Sequence, residues 1–103
     1  MRELKFKQPH VDIKGKFIDW FYWGFVNGGF ISPIRFDLPN YQYTGLKDCK
    51  GKEIYEGDII RYNWLNELLT ATIRFDDRLA SYNACNYSHG EVIGNIYENK
   101  ELI

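Results

Sequence analysis

YQYTGLKDCKGKEIYEGDIIRYNW, Tyr41–Trp64, is the stretch on which the fold turns. Gln42-Tyr43-Thr44 is a short extended run that Gly45 breaks. Leu46–Lys52 is polar, with Asp48 and Gly51 supplying turn chemistry. Glu53-Ile54-Tyr55 is extended again, and Glu56-Gly57-Asp58 turns the chain. Ile59–Trp64 reads as a strand with Ile60, Tyr62 and Trp64 on one face and Arg61 and Asn63 on the other. A tight Gly-Asp turn feeding a β-branched strand is a device of small barrels, where the chain must bend without leaving the sheet.

Downstream, Leu65-Asn66-Glu67 reads as a link. LLTATIRFDD, residues 68–77, alternates Leu69, Ala71, Ile73 and Phe75 against Thr70, Thr72 and Arg74, which predicts one strand. Asp76-Asp77-Arg78 predicts a turn, residues 79–87 an outer strand, and Ser88-His89-Gly90 another turn. Glu91–Tyr97 predicts a strand with a bulge or close approach at Gly94. Residues 98–103 predict a cap or a helical turn.

Upstream, residues 3–7 alternate as a short strand, which Pro9 should end for want of a backbone donor. Residues 10–16 alternate again through Val11 and Ile13 to a turn at Gly15. FIDWFYWGFV, residues 17–26, crowds Phe17, Trp20, Phe21, Tyr22, Trp23 and Phe25 together; its aromatics and Gly24 favour a strand over a helix. Two readings of it stand: a segment buried on both sides, or an aromatic patch for self-association carried by Trp20, Tyr22, Trp23 and Phe25. Only Asp19 is charged within it, which disfavours base stacking. Asn27-Gly28-Gly29 signals a hairpin turn into a partner at Phe30–Phe36, interrupted by Ser32-Pro33. Asp37–Asn40 reads as a loop. The pattern as a whole predicts an all-β, mainly β chain: one small barrel or roll with an N-terminal β-hairpin extension. The 103 residues form a single domain in this reading, with strands and the aromatic hairpin over about 1–40 and the barrel over about 41–103.

Composition agrees. Aromatic residues make up 17% of the chain, which suits pleated, half-buried surfaces. The net charge is -1, so a general electrostatic grip on nucleic acid is not favoured. Charge is unevenly spread, however. Residues 1–52 carry nine Lys/Arg against five Asp/Glu, and residues 53–103 carry four against nine. The two cysteines, Cys49 and Cys85, with an opening that lacks a long apolar core, predict reduced thiols in a cytoplasmic setting. No stretch approaches the ~20 apolar residues a membrane helix needs.

Chemistry is harder to find. Neither Gly28-Gly29 nor Gly45 opens a helix, as a phosphate loop requires. The cysteines, and the histidines His10 and His89, lack metal spacing. Glu53, Glu56 and Asp58 are the densest carboxylates; they read either as an acid–base pair or as turn residues whose Asp58 bonds nearby amides. Ser81, Ser88 and Cys85 lack a legible base, since a triad is spatial and Ser88-His89 adjacency does not supply one. No enzyme, cofactor or metal is therefore expected. Lys47, Lys50 and Lys52 on one turn, with Arg61 and Arg74, are the candidate nucleic-acid contacts.

The block within Tyr41–Tyr62, QYTGLKDCKGKEIYEGDIIRY, resembles the signature of the YopX family of phage and prophage proteins. EVIGNIYENKEL, residues 91–102, resembles that family's closing segment, and RELKFK, residues 2–7, its opening. Together they cover roughly 40% of the chain. Gln8-Pro9-His10 replaces the family's usual Ala-Trp-Asp continuation. Cys49 stands where a charged residue is usual, and segment 17–26 has no counterpart in the pattern. The resemblance implies a phage or prophage origin in a bacterial host, an SH3-like small barrel and homo-oligomerisation. It carries over no activity and no catalytic residue. The partner, a host or phage protein or a second copy, is left open.

Overall fold

A computed structural model of the chain describes residues 4–26, 28–33, 35, 37–76, 78 and 81–99. It is mainly β, in antiparallel pairings, and divides into two compact units, Met1–Tyr43 and Thr44–Ile103. No helix among the described residues is long and apolar enough to cross a membrane.

The first unit is built on β1 (Lys5–Val11) and β2 (Phe17–Val26), antiparallel from Lys5↔Gly24 to Val11↔Phe17. The register shifts between His10 and Val11, so Ile18 is the extra residue of a bulge. β3 (Gly29–Ile31) pairs with the end of β2, and β4 (Tyr41–Lys47) begins beside β1 with Phe6↔Gln42 and Lys7↔Tyr41. Pro9 corrects the sequence reading: it lies within β1, opposite Trp20. Pairing of β1 with β4 stops at Lys7. A residue without N–H is tolerated where its nitrogen faces away from the remaining ladder.

Asp12 makes the turn that follows β1. Its Oδ1 accepts the backbone N–H of Lys14 at 2.9 Å and of Lys16 at 2.8 Å. Ile13, expected on a strand face, is therefore fully exposed at the turn. Gly24 is fitted to a close approach: its φ is +97, and a Cβ there would stand 2.6 Å from the Leu4 carbonyl oxygen. The interruption expected at Ser32-Pro33 is present, since β3 ends at Ile31. Asn27 of the hairpin turn, and residues 34 and 36 of its partner, lie outside the described residues.

The second unit holds the apolar core: Ile54, Ile60, Ile73, Tyr82, Ala84 and Val92, with Tyr87 packed against them. The closing half of β4 stands beside β5 (Glu53–Tyr55). A separate sheet takes the order β10-β6-β7 from Glu91–Asn95, Asp58–Trp64 and Glu67–Thr72. The run expected to be a link is a hairpin turn. Trp64 pairs with Glu67 across Leu65 (φ 51) and Asn66 (φ 67), two left-handed residues that form a type I′ turn. Trp64 does not share the burial of the residues placed on its face. Ile60 is fully buried and Tyr62 half-buried, yet Trp64 is 61% exposed. β10 reaches only as far as Glu91, opposite Arg61, and does not follow β6 to its end.

The expected strand 68–77 is broken at Ile73-Arg74. Ile73 still bonds the start of β6: its N–H meets Asp58 O at 2.9 Å and its carbonyl accepts Gly57 N–H at 2.8 Å, so Gly57 and Asp58 together face it as a bulge. Asn83 holds the bend. It accepts Arg74 N–H at 2.8 Å and donates to Thr72 O at 3.2 Å. The chain then pairs as β8 (Phe75–Asp76) with β9 (Ser81–Tyr82). Among the described residues of the expected strand 79–87, Ser81–Tyr82 is extended and a 3-10 helix, Asn83–Asn86, follows. Residues 77, 79, 80 and 100–103 lie outside the described residues, and with them parts of the expected turn, strand and cap. The irregularity expected at Gly94 is present as a register shift in β10. The β class stands, but no sheet among the described residues closes into a barrel.

Candidate functional site

The acidic run 53–58 is engaged in holding the fold. Asp58 is fully buried. Its Oδ2 accepts Tyr55 N–H at 2.8 Å and its Oδ1 accepts the Asn95 side-chain amide at 3.0 Å. Asn95 in turn accepts Tyr97 N–H at 2.9 Å. Glu53 accepts the Tyr55 hydroxyl at 3.1 Å, and Glu56 is half-buried. No group of three His, Cys, Asp or Glu residues among those described is placed to hold a metal ion.

Asp48 plays the same part in the neighbouring turn, where the sequence predicts only a bend. Its Oδ1 accepts Lys50 N–H and Lys52 N–H at 2.9 and 2.8 Å, and its Oδ2 accepts Val92 N–H at 2.9 Å. Burial pushes this carboxyl up. The Val92, Lys52 and Lys50 N–H groups and the Lys52 charge outweigh that, leaving it below the usual carboxylate range. Cys49 N–H adds a bond to Gly90 O at 3.0 Å. The clasp sets the turn 48–52 beside the start of β10.

Of the candidate cations, this brings exposed Lys50 and Lys52 towards exposed Arg61, which faces Glu91 across β10 and lies 3.8 Å from its carboxylate. Lys47, also exposed, ends β4. Arg74 is not gathered with them. It sits in the β7–β8 bend, four residues past Thr70, the partner of Arg61.

The turns around Asp48 and Gly90 also line a cleft that no sequence motif announced. It measures about 220 Å³ and is bounded by Cys49, Arg61, Tyr62, Leu68, His89 and Glu91 among others. The Tyr62 ring meets His89 edge-on at 5.9 Å and Tyr87 at 4.9 Å. Gly90 permits this crowding, since a Cβ there would stand 2.5 Å from Arg61 O. Cys49 and Cys85 are both free and exposed. Ser81 is exposed on β9, and Ser88 lies half-buried in the turn before His89. His10, in the first unit, bonds Asp19 at 2.8 Å.

The aromatic segment in the first unit divides into packed and exposed members. Trp23 stacks on Phe6 with ring centres 4.4 Å apart, and its indole N–H donates to Asn40 at 3.0 Å. Trp20 lies edge-on to Phe17 and Tyr41 and carries the buried Lys7 ammonium 4.4 Å over its ring. Tyr22 and Phe25 remain 43% and 54% exposed. Phe25 meets Phe30, itself exposed, at 5.5 Å. This division does not follow strand alternation, since Trp20 shares its parity with Tyr22 and Trp23 with Phe25, and nothing in the aromatic run announced it.

Comparison with known proteins adds three findings. The family described as YopX protein matches residues 27–103. The fold is similar to the crystal structure of protein EF1440 from Enterococcus faecalis, with a TM-score of 0.59 at 22% identity over 99% of each chain. No curated protein matches the sequence.

Proposed function

Because the chain belongs to the YopX family, we propose that it is an accessory protein of phage or prophage type, acting in the bacterial cytoplasm as a non-enzymatic, SH3-like small-barrel interaction module that self-associates. The observation that carries this reading is the exposed pair Phe25 and Phe30, in ring contact across β2 and β3, with Tyr22 also exposed on β2. Neighbouring exposed aromatics mark contact surfaces more often than solvated ones. The engagement of Asp58 and Glu53 in backbone and side-chain bonds supports the non-enzymatic part. Light scattering tests it. The mass should rise with concentration, and Tyr22→Ser with Phe25→Ser should weaken the association. A wild-type monomer at high micromolar concentration sinks self-association.

A second reading, nucleic-acid binding, is favoured by one observation: the Asp48 clasp carries Lys50 and Lys52 towards Arg61. Fluorescence anisotropy with duplex and single-stranded oligonucleotides should then show affinity falling steeply with salt. Failure of either to bind at low salt ends this reading.

A further inference from the structure

The β6–β7 hairpin ends in an apolar tip. Trp64 and Leu65 are 61% and 80% exposed, and Leu68 beside them is 61% exposed. Leu65 stands at φ 51, in a turn that Asn or Gly serves without strain. A leucine there strains the backbone and gains no burial. Strain held together with exposed apolar surface points to contact outside the folded chain.

A concave site begins one pair below that tip, at Asn63 and Leu68. The 220 Å³ cleft exceeds the ~150 Å³ that suffices to take a benzene ring. Tyr62 and His89 offer ring edges and faces, and Leu68 an apolar wall. Arg61 supplies a guanidinium for the face of an aromatic ring, and Glu91 supplies an acceptor for an indole N–H.

We propose that the Trp64–Leu65 tip of one copy seats in the cleft of a second copy, each copy offering one knob and one hole. The chain itself carries a knob of the size and chemistry the cleft suits, which favours a second copy over other proteins. Glu67, exposed directly opposite Trp64, disfavours insertion of the tip into a bilayer. This rests on the reading that the chain self-associates, and it adds a contact in the second unit distinct from Tyr22 and Phe25.

Light scattering over a dilution series tests it with Leu65→Asn combined with Trp64→Thr. Asn suits the left-handed position, so this variant should melt no lower than wild type, while its association midpoint moves at least tenfold to higher concentration. If the wild type associates and the variant does so at the same concentration, the tip contact is wrong and self-association stands. If the wild type stays monomeric at high micromolar concentration, both fall. A second measurement places the contact. In a Cys85→Ser background, Leu65→Cys with oxidised glutathione should give a disulfide to Cys49 of a second copy, read by mass spectrometry of mixed labelled and unlabelled chains. A link formed only within one chain overturns the proposal.

Discussion

The side-chain amide of Asn95 donates to the carboxylate of Asp58 at 3.0 Å, across 37 residues, with Asp58 fully buried and Asn95 only 1% exposed. One bond thereby ties the Gly57-Asp58 turn to the end of β10. Removing either partner strands the other without water. Asp58→Ala leaves the Tyr55 N–H and the Asn95 amide unsatisfied, at about 1–3 kcal/mol each. Urea denaturation should show a loss of about 2–5 kcal/mol, and a loss under 1 kcal/mol would refute the tie.

Asp48 should make the fold acid-sensitive. Its folded pKa is lowered from 3.8, so its contribution is fully present above the unfolded value. It is lost as pH falls through the lower folded value. Asp48→Asn should flatten the decline of the urea midpoint between pH 5 and pH 2. An equally steep decline in the variant would place the sensitivity elsewhere.

Leu65 holds a left-handed conformation at φ 51, worth roughly 1–2 kcal/mol of strain in an L-residue. Leu65→Asn should relieve part of it and raise Tm by several degrees, since about 1 kcal/mol shifts a domain of this size by ~4–8 °C. Thermal unfolding of a dilute sample reads this directly; a lower Tm counts against the strain.

Gly24→Ala should be among the more harmful single changes. The new methyl would meet Leu4 O at 2.6 Å while φ stays at +97. Backbone strain and displacement of β2 from the start of β1 should together remove about 2–4 kcal/mol. A measured loss under 1 kcal/mol would mean that the strand ends shift freely.

The β class, the turns at Gly15, Asp48 and Gly57, and the irregularity at Gly94 were legible because each depends on neighbours in sequence. Turn residues bond amides two to four positions away, and alternation along a strand is local. The hairpin at Leu65-Asn66 escaped the sequence reading: two alternating runs separated by two residues signal one, but the bulk of Leu65, where Asn or Gly is usual, disguised it.

What remained hidden depends on where a neighbouring strand stops. Pro9 sits inside β1 because β4 pairs no further than Lys7, and Trp64 is exposed because β10 reaches no further than Arg61. The break past Ile73 follows from the bonds of Asn83 to Arg74 and Thr72. Asp48 and Asp58 became ties across 44 and 37 residues only once β10 was in place. Residue type and spacing determined that the chain forms strands and where it turns. Tertiary structure alone decided which side chains the strands cover, because burial is a property of the partner, and the partner is distant in sequence.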